Sequence, residues 1–216
     1  MVEPSTSVRD GPESPYAARA VLDETALASI RETNLAFLVL LAGAGSESLG
    51  VNPAAVARIR ELDAAGLAAV ADCPYTLFNL RFEDADFWRG FALESAQPRQ
   101  SAATERVSFV RMAVFLAWHL ARSNELAASL VLGMTPDVQR AWREIPLSAL
   151  ERAAPGVLAH LQARWGRHPT FWIKLLSTAA PAARERAEAV RLLGLQLLAA
   201  DGAWPPGGAA VASRFG

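Results

Sequence analysis

The chain has 216 residues, of which 52% are hydrophobic and 20% are charged, so it can bury a core and is not a disordered polymer. Its formal net charge of −1 excludes a general attraction to nucleic acid through overall charge. The single cysteine, Cys73, excludes an intrachain disulfide and a zinc site made of cysteines.

The N-terminal segment does not read as a targeting sequence. Residues 1–20 carry charges and prolines where a signal sequence needs an apolar centre. The apolar runs 35–44 and 112–120 are shorter than the roughly 20 residues of a membrane span. We therefore expect a cytoplasmic protein that does not enter a membrane.

Helix-start signals occur at three places along the chain. Asp23 is a candidate N-cap, and Asn52-Pro53 and Thr135-Pro136 each place a capping residue before a proline, which is tolerated at the first helical position. The first helix should end in the glycines at Gly43 and Gly45. Residues 105–132 read as a long helical stretch that ends at Gly133, and 182–200 as a last amphipathic helix.

Only residues 76–82 resemble a strand, so the predicted class is all-α with disordered termini. The predicted domain organisation follows from the helical stretches and from the polar or proline-rich ends. It comprises a mobile lead at 1–22, a first repeat at 23–100, a second repeat at 101–180, a C-terminal helix at 181–200 and an irregular tail at 201–216.

The repeat is the main signal in the sequence. Residues 49–82 and 132–165 align without a gap at an offset of 83 residues. One inserted residue then brings Phe87-Trp88 onto Phe171-Trp172. Identical pairs include Leu49/Leu132, Gly50/Gly133, Pro53/Pro136, Arg60/Arg143, Glu61/Glu144, Leu67/Leu150 and Arg81/Arg164. Each unit exposes an apolar face, so two units are expected to pack together.

These residues resemble the FlhD family, the small helical subunit of the bacterial flagellar master regulator. The resemblance is carried by Asn34-Leu35-Ala36-Phe37-Leu38, by Leu49-Gly50 with Arg81-Phe82, and by Leu132-Gly133 with Arg164-Trp165. It implies two tandem FlhD-like repeats packed as a pseudo-dimer, and a role in activating transcription with an FlhC-like partner. DNA would be bound only as part of that complex. The cysteine that joins FlhD subunits has no counterpart here, because Phe78 and Leu161 occupy the matching positions.

Charge is divided unevenly between the two repeats. Residues 26–100 have a net charge of −3, and residues 101–180 have a net charge of +4. The second repeat could therefore face phosphate while the acidic first repeat faces a protein, although an ordinary solvated arginine face would look the same. The candidate nucleic-acid residues are Arg140, Arg143, Arg164, Arg167 and Lys174.

Aromatic residues cluster at the end of each repeat. They could close the core between the repeats or form an exposed anchor for a partner. Arg81 and Arg164 lie beside these clusters in sequence and could stack on a ring. The candidate interface residues are Phe37, Phe82, Phe87, Trp88, Trp165, Phe171 and Trp172.

No arrangement typical of an enzyme is found. The carboxylates Glu83, Asp84 and Asp86 lack the spacing of a calcium loop, so Glu83 or Asp84 is expected to cap a helix. The three histidines are too scattered to form a metal site. We therefore predict no catalytic residue, cofactor or metal, and a regulatory subunit that acts through protein contacts and could self-associate. A helical interaction or scaffold module without a DNA role is the alternative, and a small-molecule enzyme is a more remote one.

Overall fold

The computed structural model describes residues 22–43, 49–94, 105–180 and 183–201, and these are mainly helical, as the sequence predicts. The helices are α1 (Glu24–Ala42), α2 (Pro53–Glu61), α3 (Ala64–Ala71), α4 (Ala85–Glu94), α5 (Glu105–Ser123), α6 (Glu125–Leu132), α7 (Pro136–Glu144), α8 (Leu147–Val157), α9 (Phe171–Leu176) and α10 (Arg184–Ala200). Short 3-10 turns follow α8 and α9, at Leu158–His160 and Ser177–Ala179. The predicted N-terminal lead and C-terminal tail lie outside the described residues, apart from Leu22 and Asp201.

The predicted helix starts are confirmed by their capping hydrogen bonds. Asp23 Oδ1 accepts from Ala26 N at 2.7 Å, and Asn52 Oδ1 accepts from Ala54 N at 2.9 Å. Thr135 Oγ1 accepts from Val138 N at 3.4 Å. Each cap satisfies a backbone N–H that has no partner within its own helix, and this fixes where α1, α2 and α7 begin.

The helical stretch predicted over 105–132 is present, but it is divided into two helices at Asn124. Asn124 has φ −155° and ψ 96°, so the backbone leaves the helical region there. The Asn124 side chain then caps α6 by accepting from Ala127 N at 2.9 Å. Gly133 ends α6 at φ 69°, a left-handed conformation in which glycine has no steric penalty.

Helices α1 and α5 are the centre of the packing. Helix α1 contacts α2, α3 and α5, and helix α5 also contacts α6, α7 and α8. Helix α4 packs against α7, and α9 packs against α2 and α10. Of the described helices, α1 is also long and apolar enough to suit a membrane span by length and composition. One face of α1 is nevertheless buried by its helical neighbours.

Two short strands form the remaining regular structure of the described residues. Strand β1 (Phe78–Asn79) pairs antiparallel with β2 (Gln162–Ala163), with Phe78 opposite Ala163 and Asn79 opposite Gln162. The strand expected within 76–82 is therefore present over two residues. The pairing connects the two halves of the chain, and their buried residues form one hydrophobic cluster.

Candidate functional site

The predicted aromatic residues lie mostly inside the protein. Phe87 and Trp165 are partly exposed. The others are at most 2% exposed, so they cannot serve as exposed anchors for a partner. These buried residues are Phe37, Phe82, Trp88, Phe171 and Trp172.

Several of these rings pack across the boundary between the halves. The ring of Trp88, on α4, lies 4.2 Å from the ring of Trp142, on α7, measured between centroids. Phe37, on α1, lies 5.6 Å from Phe109, on α5. Phe78 lies 5.0 Å from Phe109 in an edge-to-face arrangement. Such contacts add to the free energy of area burial, so the aromatic residues help to hold the two halves together.

Both predicted arginine–ring contacts are present. The guanidinium carbon of Arg81 lies 4.6 Å from the centroid of Phe87, and that of Arg164 lies 5.6 Å from the centroid of Trp165. The two arginines differ in exposure, because the Arg81 side chain is 42% exposed while Arg164 as a residue is 6% exposed. Arg81 also pairs with Asp84.

Arg164 is a buried structural residue. Its Nη2 donates to Leu132 O at 2.6 Å and to Thr76 Oγ1 at 3.1 Å. Its Nε donates to Phe78 O at 3.4 Å. Burial lowers the pKa of the guanidinium to about 10, which leaves it protonated at neutral pH. The expectation that Arg164 contacts nucleic acid is therefore wrong, because its donors serve oxygens inside the fold and phosphate cannot reach them.

The other four predicted cations are divided between two parts of the fold. Arg140 pairs with Asp137, and Arg143 pairs with Glu125 while its Nε donates to Ala121 O at 3.0 Å. Both lie on α7, which packs mainly against α4, α5 and α6. Arg167 precedes α9 and Lys174 lies on it, and both are exposed. Helix α9 packs mainly against α2 and α10.

The acidic cluster caps a helix, as the sequence predicts. Asp84 Oδ1 accepts from Phe87 N at 2.8 Å, and this hydrogen bond, together with Arg81, lowers the pKa of the carboxyl. Within residues 22–43, 49–94, 105–180 and 183–201, no group of three or more His, Cys, Asp or Glu side chains could hold a metal ion. Cys73 is buried, and burial raises the pKa of its thiol to about 12. It therefore packs as a small apolar residue.

A groove between α1 and α5 was not predicted from the sequence. It has a volume of about 720 Å³ and its wall is mostly apolar. Val39 is 55% exposed there, while Phe109 at its base is 5% exposed. The groove is lined by Glu32, Leu35, Ala36, Val39, Leu40, Glu105, Ser108, Phe109 and Met112. A sequence signal did exist, because the apolar residues of α1 cover more of its circumference than one buried face requires.

Comparison of the chain with protein-family models, with curated proteins and with solved structures gives no match.

Proposed function

We propose that this chain is an internally duplicated, FlhD-like regulatory subunit of a transcription-activating complex. It acts in the cytoplasm through protein–protein contacts with an FlhC-like partner, and DNA is bound by the assembled complex. The observation that carries the proposal is a reciprocal exchange of helices. Helix α4 of the first half packs against α7 of the second, and α9 of the second half packs against α2 of the first.

This exchange has the form of a two-fold symmetric dimer interface. In such an interface, if element i of one subunit contacts element j of the other, then j of the first also contacts i of the second. Helices α2 and α7 both begin with proline, and α4 and α9 both carry Phe-Trp. The elements expected on the symmetry axis, α1 with α5 and β1 with β2, contact each other. These relations support a pseudo-dimer made by one chain.

An identical pair in the repeat makes the same contact in both halves. Arg60 Nε donates to Ala42 O at 3.2 Å, and Arg143 Nε donates to Ala121 O at 3.0 Å. Each arginine thereby satisfies a carbonyl near the end of the preceding long helix, where a positive charge also interacts favourably with the helix dipole. The match of Arg60 to Arg143 in sequence is thus also a match in role, which supports duplication.

A turn of the same geometry follows each of the two strands. Arg81 has φ 57° and its carbonyl accepts from Asp84 N at 3.0 Å, while Trp165 has φ 49° and its carbonyl accepts from His168 N at 2.9 Å. Asp84 and His168 then each accept from the amide of the following phenylalanine. The turn geometry therefore pairs Arg81 with Trp165 at an offset of 84 residues, and Arg164 lies one position earlier.

The experiment that tests the proposal is a mobility shift with promoter DNA. The source genome is first searched for a gene that encodes an FlhC-like protein, and the absence of any such gene would contradict the proposal. The protein found is assayed alone, with this chain, and with this chain in increasing salt. We expect the two proteins to co-purify and the mixture to bind DNA at least tenfold more tightly than either alone. Tight promoter binding by the isolated chain would contradict the proposal, as would failure of the two proteins to associate.

A helical interaction module without a DNA role is the second candidate function. It is favoured by the surroundings of three arginines that were predicted to bind nucleic acid. Arg164 is buried, and Arg140 and Arg143 pair with carboxylates. These contacts reduce the cationic surface that phosphate could reach. This alternative predicts that the chain forms a stable protein complex whose affinity for DNA does not exceed that of the partner alone.

A further inference from the structure

We propose that the groove between α1 and α5 binds an amphipathic helix of a partner protein, one that carries an apolar stripe flanked by basic residues. This inference rests on the protein-binding part of the proposed function and adds the place and chemistry of the contact. It does not depend on whether the partner is FlhC-like or on whether the complex binds DNA.

The groove has the composition of a helix-binding surface. On α1, Glu32, Leu35 and Val39 recur at the spacing of one helical face, and on α5 Glu105, Ser108 and Met112 do the same. Two adjacent helices therefore form two walls. Burial of exposed apolar side chains such as Val39 by a docked helix is favourable, and this is the usual way in which apolar grooves recognise amphipathic helices.

The charged residues at the groove determine which charges a bound helix can carry beside its apolar stripe. Among the described residues that line it, the charged side chains are the carboxylates Glu32 and Glu105, and none is an arginine or lysine. Arg31, which neighbours Glu32 in sequence, pairs with Asp72. Lysine or arginine on the bound helix would therefore meet opposite charge at both carboxylates, whereas an acidic helix would be repelled.

The length of the groove limits the ligand to a short segment. From Glu32 to Leu40 the axis of α1 rises about 12 Å, which corresponds to between two and three helical turns. A ligand with apolar residues at i, i+4 and i+7 would cover this distance. The apolar part of a bound helix that is longer than this would extend beyond the apolar wall of the groove.

The test uses the full chain and a displayed library of helical peptides of about 18 residues, which span about 27 Å at the α-helical rise and so cover the groove with a margin at each end. The library fixes an apolar stripe and varies the flanking positions among Lys, Arg, Glu and Gln. The affinities of recovered peptides are measured on the wild type, on V39D, and on the double variant E32K with E105K. The matched control is L192D, which places the same charge on a leucine of α10 that is 61% exposed. Thermal unfolding confirms that each variant remains folded.

We expect the recovered peptides to carry Lys or Arg at their flanks, to lose at least tenfold in affinity on V39D and on the double charge reversal, and to bind L192D as they bind the wild type. Acidic or neutral flanks, or no peptide that depends on Val39, would overturn the proposal.

Two other occupants of the groove give distinct results. If sedimentation shows that the wild type is a dimer and V39D a monomer, the occupant is a second copy of the chain and the proposal is wrong. If deletion of residues 1–21 raises peptide affinity at least tenfold, the occupant is a segment of the chain itself, and the proposal is again wrong. If the mobility shift succeeds and the peptide selection fails, the groove is rejected as a binding site and the proposed function is retained. If the peptide selection succeeds and the mobility shift fails, only the complex with an FlhC-like protein is rejected.

Discussion

The phenol oxygen of Tyr75 donates a hydrogen bond to the backbone oxygen of Val190 at 2.9 Å, although the two residues are 115 positions apart in sequence. The Tyr75 ring also lies 5.4 Å from the ring of Trp165, between centroids. Gly194, one helical turn after Val190, leaves the space that the tyrosine ring occupies. This contact fixes α10 against the segment that precedes β1, and so connects the end of the described chain to its first half.

Substitution of Gly194 should be strongly destabilising. A Cβ at this position would overlap Cζ and Oη of Tyr75, which is itself fully buried. We expect G194A to lower the free energy of unfolding by about 2 kcal/mol, although alanine is the better helix former by about 1 kcal/mol. The matched control is G90A on the exposed face of α4, where an added Cβ meets nothing within 4 Å. G90A should stabilise the protein in urea unfolding, and equal effects of the two substitutions would contradict the close packing of Tyr75 on Gly194.

Asn34 connects α1 to the segment before β1 through both ends of its amide. Its Nδ2 donates to Tyr75 O at 2.9 Å and to Ala71 O at 3.3 Å, and its Oδ1 accepts from Leu77 N at 2.9 Å. N34L would remove the Asn34 partner of Tyr75 O and Leu77 N, while Ala71 O would still accept from Cys73 N, so we expect a loss of about 3 kcal/mol in unfolding free energy. N52A removes an exposed helix cap and should cost about 1 kcal/mol in the same assay. Similar losses of unfolding free energy for both variants would show that the buried hydrogen bonds of Asn34 contribute no more to stability than an exposed helix cap does.

Stability should fall at alkaline pH because of the buried thiol. Burial raises the pKa of Cys73 to about 12, and it raises that of the Tyr75 phenol as well. The folded state holds the thiol proton more tightly than the unfolded state does, whose thiol has a pKa of about 8.5. The stability linked to Cys73 is therefore complete below that pH and is lost as the pH rises towards 12.

Urea unfolding at about pH 8 and about pH 10, on either side of the unfolded thiol's pKa, measures this loss. We expect the wild type to lose about 2 kcal/mol more than C73A between these two values. The wild-type thiol should also react with a disulfide reagent at neutral pH only as fast as the protein unfolds. Identical pH dependence of the wild type and C73A would show that the thiol is not buried in the folded state.

Separation of the two halves of the chain tests the proposed pseudo-dimer. Helix α4 lacks its cover α7 when residues 1–100 are expressed alone, and α9 lacks its cover α2 when residues 101–216 are expressed alone. We expect each half to self-associate or precipitate because these apolar faces are exposed. Co-expressed halves should co-purify in equal amounts. Two monomeric halves that each unfold cooperatively would contradict an exchanged arrangement.

Local chemistry made part of this fold predictable. The caps at Asp23, Asn52 and Thr135 depend on hydrogen bonds to amides two or three residues away, so the sequence alone was sufficient to identify them. The apolar pattern does not predict the break at Asn124, because apolar residues recur at helical spacing both before it in α5 and after it in α6. The backbone angles of Asn124 and the hydrogen bond of its side chain to Ala127 N separate the two helices.

Features decided by distant contacts could not be predicted in the same way. Arg164 and Arg167 are alike in sequence, but Arg164 is buried because Thr76, Phe78 and Leu132 place oxygens around its guanidinium. The wide apolar surface of α1 indicates that some apolar residue stays exposed, but which one it is depends on how α2, α3 and α5 pack, and they leave Val39 exposed. Burial of a side chain in these cases is a property of the assembled tertiary structure, which helix periodicity does not contain.

The contacts of α4 with α7 and of α2 with α9 also determine when the protein can become stable during its synthesis. The face of α4 that packs against α7 stays uncovered until residues 136–144 have left the ribosome, and the face of α2 that packs against α9 stays uncovered until residues 171–176 have done so. The nascent N-terminal half must therefore persist with apolar surface open to solvent for most of translation, a condition under which chaperones bind. Slow translation of the second half would prolong that exposure, so codon choice after residue 100 should affect yield more than codon choice before it.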